Sequence, residues 1–382
     1  MKVETSSYEA GTGWVSQRAD GPLTDVGLVL YFASREVLAD EAPIAALAER
    51  YPGAALVGCS TGGEIVGREA SEGGAVAMAV HLREATLDIA RRTIETSAES
   101  ERVGRELGES LAKDDLRLVF VLSDGMRVNG SELVRGLRSQ LPANVVVSGG
   151  LAGDGARFEK TFVGVGARPE PGLVVAIGFY GASLRVGTGS VGGWEAFGLQ
   201  RTVTKSEGNV LRELDGEPAL DLYKRYLGAE VERLPGSALL FPLALRREGG
   251  KGVEVVRTVL TIDEAAKTMT FAGDVPEGSA ARLMRASMLD LVDGAERAAG
   301  AAKALHGEAE GESLALLVSC IGRRLLMGQR SSDEVEVVAD ALGERVAVAG
   351  FYSYGELSPH PDTGVCELHN QTMTITTVSE AA

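Results

Sequence analysis

Aromatic residues make up only 5% of this 382-residue chain, which holds two tryptophans, three cysteines and four histidines. The cysteines, Cys59, Cys320 and Cys366, are odd in number and far apart. That excludes a framework of paired disulfides, offers no Cys-x-x-Cys metal spacing or covalent haem attachment, and leads us to expect reduced thiols. Basic clusters are missing too: the longest groupings, Arg91-Arg92, Arg246-Arg247 and Arg323-Arg324, are pairs. Against a formal net charge of -16 they give no patch for a phosphate backbone or an anionic bilayer. No apolar run reaches the length of a membrane span; the best, Leu173 to Tyr180, is of strand length and contains a glycine. The opening Met1-Lys2-Val3-Glu4-Thr5 carries an early acid and lacks the apolar stretch of a secretory signal. The expectation is a cytoplasmic protein that binds neither nucleic acid nor membrane.

The chain is 45% hydrophobic and 24% charged, as ordinary globular proteins are, and its length exceeds the usual size of one core, so two domains are expected. Strands at Val26 to Phe32 and Leu56 to Cys59 flank a helix from Arg35 to Arg50. Val103, Leu107 and Leu111 recur at helical spacing before a strand at Leu116 to Leu122, a helix at Ser131 to Leu141 and a strand at Val145 to Val147. From Gly149 the texture turns to closely spaced strands, Phe158 to Val165, Gly172 to Tyr180 and Ser183 to Gly189, which predict an antiparallel meander on the second face of the same domain. A helix at Leu220 to Leu227 precedes Pro235-Gly236, a plausible boundary. Beyond it come a strand at Val253 to Leu260 that forms a hairpin with Thr268 to Phe271, and a long helix from Ser279 to His306. A strand at Ser313 to Cys320, a helix at Glu334 to Leu342, and strands at Val346 to Gly350 and Glu367 to Val378 complete the chain. The fold class is therefore α+β, or mixed α/β, with mixed sheets flanked by helices in two domains, 1–235 and 236–382.

Two segments read as pocket wall. Gly350-Phe351-Tyr352-Ser353-Tyr354-Gly355-Glu356 sets aromatics and one acid between apolar and polar strands. Near the other end Val57 runs into Gly58-Cys59-Ser60-Thr61-Gly62-Gly63-Glu64, where small residues leave the backbone approachable. The shared Gly-Glu endings hint at related halves, although no fixed-period repeat is visible.

These segments, together with Ser148-Gly149-Gly150-Leu151-Ala152-Gly153-Asp154, Leu214-Asp215-Gly216-Glu217-Pro218, Gly273-Asp274-Val275-Pro276, Ser319-Cys320-Ile321-Gly322-Arg323 and His369-Asn370-Gln371-Thr372, resemble the FIST family in order and spacing. The resemblance implies a ligand-sensing module that reports to a signalling partner. The ligand is expected to be a small molecule such as an amino acid, bound by loops after Cys59 and Gly149 and by the Phe351 to Glu356 wall. On it the ligand-binding set comprises Cys59, Ser60, Thr61, Gly62, Gly150, Asp154, Arg257, Arg323, Phe351, Tyr352, Glu356 and Asn370. A subgroup resembles haem-containing nitric oxide sensors that regulate a histidine kinase or a cyclic-di-GMP enzyme, which makes haem b the alternative cofactor. No kinase, cyclase or chemotaxis output segment is recognisable in the chain, so a signal must leave by protein contact.

Residue chemistry weighs these readings. Arg257 shares a strand face with Val253, Val255 and Val259, and a buried guanidinium requires an anion, either an internal acid such as Glu356 or a bound carboxylate. Arg323 carries the same ambiguity. Cys59 as a nucleophile lacks a nearby histidine and stands third, and the Gly-rich turn lacks the Lys and spacing of a phosphate loop. Among the histidines, His306 caps a helix end, His360 sits between prolines, His81 lies on a small-residue face, and His369 shares its face with Met373 and Ile375. His369 is the axial ligand if haem binds. The leading expectation is a non-catalytic sensor for an amino-acid-like or other carboxylate, with no cofactor firmly implied.

Overall fold

Three times along the chain a buried strand, one or two helices and a second strand parallel to the first form a unit, in a computed structural model that describes residues 1–17, 23–234, 236–246, 254–307 and 311–381. Leu28–Ala33 pairs in parallel with Ala55–Ser60, Leu116–Ser123 with Val146–Leu151, and Ser313–Cys320 with Val346–Ser353. A third strand returns antiparallel beside the first of each pair: Ala75–His81, Leu173–Tyr180 and Met373–Glu380. A fourth lies beyond it: Lys2–Glu9, Thr86–Thr93 and Leu184–Val191.

The remaining edge of each sheet is closed by a strand lent from another unit. Glu64–Val66 of the first unit joins the third, Val163–Val165 of the second joins the first, and Gly355–Pro359 of the third joins the second. The exchange is cyclic, so the three mixed sheets are related by a pseudo-threefold arrangement. Each exchange also satisfies an edge that would otherwise expose unpaired backbone groups.

Burial explains the strand sequences. Every residue of Leu28–Ala33 and of Leu173–Tyr180 is buried, the pattern of strands covered on both faces. Leu30, Phe32, Phe120, Ile177, Leu316 and Phe351 meet in one central core between the three sheets. The outward faces carry the helices, for example Leu133 and Leu137 over the second unit and Ile44 and Leu47 over the first.

A smaller body is inserted between Leu184–Val191 and the helix Met288–His306. Its strands, from Glu195–Glu207 to Ala280–Arg285, form an antiparallel sheet packed on the helix Ala219–Leu227, with a core of its own that includes Leu211, Tyr223, Met269 and Phe271. The α+β class and the two domains are thus present. The expected division at 235/236 does not follow the cores, because Glu195–Glu207 pairs with Ala280–Arg285 and Val210–Leu214 with Thr268–Phe271 across it. Pro235 itself lies outside the described residues.

Other expectations change for local reasons. The helix expected over 35–50 breaks into Arg35–Ala39 and Ala42–Arg50, where Pro43 starts the second helix. The helix expected from Ser279 begins at Met288, where Ser287 and Asp290 form a capping box, and Ala280–Arg285 is a strand. The strand expected over 367–378 is interrupted between Cys366–His369 and Met373–Glu380, with Gln371 at φ 65°. The predicted meander is not one: its three strands lie in three different sheets, because the third edge and the fourth position of each unit come from elsewhere in the chain.

Candidate functional site

The second parallel strands of the three units end around a ring of backbone hydrogen bonds. Gly62 N–H donates to the Tyr352 carbonyl at 2.7 Å, Gly153 N–H to that of Ser60 at 3.0 Å, and Tyr354 N–H to that of Leu151 at 3.0 Å. Each bond joins one unit to the next, so the ring closes. Just before it, Gly58, Gly149 and Gly350 hold equivalent places. A Cβ there would lie 2.1, 2.0 and 1.9 Å from the carbonyl oxygens of Tyr31, Val121 and Leu317, so a side chain is excluded at all three.

The ring gathers most of the residues expected in a site, and nearly all are satisfied internally. Thr61 Oγ1 donates to Glu64 at 2.5 Å, and Ser353 Oγ donates to Glu356 at 2.6 Å. Glu64 also accepts from Gly74 N–H, and Glu356 from both the N–H and the hydroxyl of Thr372. Burial pushes Glu64 up to about 7 and Glu356 up to about 8, against the pull of these donors. Ser60 Oγ accepts from Phe162 N–H, and Gly150 lies opposite Glu356 in the sheet. Asp154 accepts from the Tyr354 hydroxyl, from the N–H groups of Phe158, Glu159 and Lys160, and from Arg35. Its burial works to raise its pKa, and those donors outweigh it to hold the carboxyl below its usual range.

Four expected contacts prove to be interior. Cys59 lies in the central apolar core, where burial pushes its thiol well up and leaves it poorly suited to ionise. Phe351 stacks on Phe32 with ring centroids 4.9 Å apart. Tyr352 donates its hydroxyl to Glu334 at 2.8 Å. Arg323 is fully buried and its fork is committed: Nε and Nη2 donate to Glu334 at 2.9 and 2.7 Å, and the Gly192 and Leu291 carbonyls accept from it as well. The acid that neutralises Arg323 is Glu334, a residue the sequence reading did not single out.

Arg257 sits elsewhere, at the junction of the two bodies. Its Nε donates to the Asp274 carbonyl at 3.1 Å and its Nη1 to the carbonyls of Val256 and Leu368 at 3.1 and 3.0 Å, so Glu356 is not its partner. Val253, expected on the same face, lies outside the described residues. Arg257 lines a cleft of about 530 Å³ between Ser131 and Arg135 of the large body and Leu245 and Asp274 of the small one, with Glu367 at its wall. The polar account is incomplete for Ser131 on this lining and for Thr258, Asn370 and Gln371 outside it. Thr258 N–H reaches Asn370 Oδ1 at 3.4 Å, whereas Thr258 Oγ1, Asn370 Nδ2, Gln371 Oε1 and Ser131 Oγ are buried with no hydrogen-bond partner. Such groups cost free energy unless something binds them. Of these, sequence reading named Asn370 alone; a non-glycine residue with positive φ, as at Gln371, is invisible in the sequence.

His369, the expected axial ligand if haem binds, has its ring engaged within the fold. Its Nε2 lies 3.0 Å from the Ser358 carbonyl, its ring stacks on His360 at 5.7 Å, and burial pushes its pKa down to about 4. Only the crowded Nδ1, beside Cβ, remains for a metal. Among the described residues no group of three His, Cys, Asp or Glu side chains could hold a metal ion, and no helix is long and apolar enough to cross a membrane.

A cleft thus lies between the two bodies, with the buried and unpartnered Ser131 Oγ on its lining, and the class of the protein comes from the sequence comparisons. The chain matches the FIST N domain over residues 27–217 and the FIST C domain over residues 219–359, and it belongs to the FIST family, whose domains are signal-transduction sensor domains. An uncharacterised protein from Methanocaldococcus jannaschii is 27% identical over 261 residues, which cover 60% of this chain and 48% of the relative. The chain thus spans about half the length of the curated relative it matches. Among solved structures, cyanuric acid hydrolase from A. caulinodans aligns with a TM-score of 0.35 and 10% identity over 94% of this chain and 90% of its own.

Proposed function

We propose that this protein is a non-catalytic sensor that takes a small carboxylate, amino-acid-like in size, into the cleft between its two bodies. The observation that carries this reading is the position of Arg257, a buried guanidinium on the wall of a cleft of about 530 Å³. That volume suits a small ligand, and the positive charge of Arg257, three of whose bonds within the fold go to neutral carbonyls, suits a carboxylate. Asp274 and Glu367 on the same wall supply acids for an ammonium group. Because the cleft is bounded by both bodies, a ligand there stabilises one relative placement over another, and that difference reaches a partner such as a histidine kinase or a cyclic-di-GMP enzyme by contact. The thiol of Cys59, enclosed in apolar side chains, gives no support to the enzyme alternative.

Calorimetry with the amino acids and a set of short carboxylates, each beside its amide, tests the reading. At least one carboxylate is expected to bind, and Arg257→Lys, which keeps the charge and loses the fork, to weaken it more than its amide. The reading fails if no carboxylate binds, or if Arg257→Lys affects acid and amide equally.

A further inference from the structure

The cleft at the junction is walled by side chains from two separate cores. Leu245 and Val255 of the small body line it, paired opposite each other on neighbouring strands and packed on that body's own apolar cluster. Val134, on the helix Gly130–Gln140, and Leu368 line it from the large body and belong to a core of that body. Leu245, Val134 and Leu368 are 2, 3 and 1% exposed, so the opening reaches interior side chains rather than a rim of surface ones. Beside it the two bodies touch: a Cβ on Gly273 of the small body would lie 2.6 Å from Leu368 Cδ2. The cleft is thus a gap in the contact between two cores, and an apolar group placed in it is drawn from water by both walls at once.

Charge is carried by other residues of the lining. Arg135, Arg138 and Arg257 stand against Asp274 and Glu367 among the described residues, a balance that favours one anionic group. Arg257 follows Val255 by two places on the strand Glu254–Arg257, so the cation and the apolar wall share one face. Asp274 is met from the large body, accepting from Asn129 Nδ2 at 2.8 Å with Arg135 Nη1 3.8 Å away. A ligand that is polar throughout leaves the apolar walls uncovered. One that joins a carboxylate to an apolar tail meets both parts of the lining.

We propose, resting on the reading that the cleft takes a small carboxylate, that its ligand carries a short aliphatic tail, held between Val134 and Leu368 on one side and Leu245 and Val255 on the other. The tail joins the two cores, so it is the part of the ligand that fixes one body against the other. Calorimetric titration of the full chain with the straight-chain acids from propionate to hexanoate is expected to show affinity rising about fourfold for each added methylene. The heat capacity change on binding is expected to grow more negative along the same series. Val255→Thr keeps the shape of the side chain and sets a hydroxyl on the wall, and it is expected to shrink the step per methylene. Leucine and 4-methylpentanoate share an isobutyl tail and separate the sources: tighter leucine assigns an amino acid, and tighter 4-methylpentanoate assigns a simple aliphatic acid. Affinity that stays level along the series, or succinate binding more tightly than butyrate, overturns the aliphatic tail and leaves the carboxylate reading standing. An unchanged step in a folded Val255→Thr variant overturns the placement of the tail. Binding by none of the acids, amino acids included, overturns both readings.

Discussion

Glu64 and Glu356 occupy one and the same position of two structural repeats. Each accepts a hydroxyl from the residue three places earlier, Thr61 or Ser353, and each accepts the N–H of the residue that precedes the returning antiparallel strand, Gly74 or Thr372. The second unit answers differently: Gly172 N–H, at the equivalent turn, donates to Asp124, and the buried Asp154 organises its own loop. The repeat thus keeps a carboxylate at each returning turn while changing which strand supplies it.

These two acids make stability fall with pH. Both have folded-state pKa values raised above the ordinary carboxyl value of 4.5, to about 7 for Glu64 and about 8 for Glu356. Between those limits the unfolded chain has lost protons that the folded chain still holds, so unfolding is favoured increasingly as pH rises. The penalty is absent below pH 4.5, grows through the interval, and is complete for each group above its folded value. Thermal melts from pH 5 to pH 9 are expected to show a declining midpoint, and Glu356→Gln to flatten the decline. A variant whose profile parallels the wild type would show that Glu356 ionises normally.

The glycines before the ring allow a direct steric test. Gly149→Ala places a Cβ 2.0 Å from the Val121 carbonyl at a φ of 138°, and Gly350→Ala places one 1.9 Å from that of Leu317. Each is expected to lower stability by about 2–4 kcal/mol, since backbone rather than a flexible side chain must yield. Gly27→Ala, with open space around its Cβ, serves as the control and is expected to fall within about 0.5 kcal/mol of wild type. Urea melts read all three.

Arg323, for which the sequence left a ligand contact and an internal pair both open, is a structural ion pair in the fold. Arg323→Lys keeps the charge but cannot reach Glu334, Gly192 and Leu291 together, so a loss of about 1–3 kcal/mol is expected. Ligand affinity of the folded fraction should be unchanged, because the guanidinium is sealed from the cleft. Paired melts and titrations check both halves, and a weakened ligand with intact stability would restore the earlier reading.

The sequence showed the units and concealed their exchange for a physical reason. Continuous apolar runs such as Leu28–Ala33 and Ser313–Cys320 identify strands covered on both faces, and the helical spacing of Val103, Leu107 and Leu111 identifies the helix that precedes the strand Leu116–Ser123. The exchanged strands Glu64–Val66 and Val163–Val165 have three residues each, too few for any period to register, and their partners are distant in sequence. The matching Gly63-Glu64 and Gly355-Glu356 pairs were the visible trace of the repeat. Glu334 also left a trace: it is an acid on the buried stripe formed by Ser331, Val335, Val338 and Leu342, which calls for an internal cation. The junction site was less legible, since Thr258 meets Asn370 only when the small body folds over the third unit.

Asn370 separates a structural role from a binding role. In the protein without ligand its Nδ2 is buried and unpaired, and its Oδ1 meets Thr258 N–H only at 3.4 Å. Replacing such a residue by an apolar one of similar shape removes an unmet hydrogen-bonding group and loses a long contact, which nearly cancel. Asn370→Leu is therefore expected to leave the melting temperature of the free protein unchanged or slightly raised. If the unpaired groups at the junction serve a ligand, the same variant loses the partner that the ligand satisfies, and affinity should drop by about tenfold, the equivalent of about 1.4 kcal/mol. Melting and calorimetry on one preparation give both numbers. A variant that is strongly destabilised yet binds normally would assign Asn370 to the architecture of the seam, whereas unchanged stability with lost binding places the ligand against residues 258 and 370.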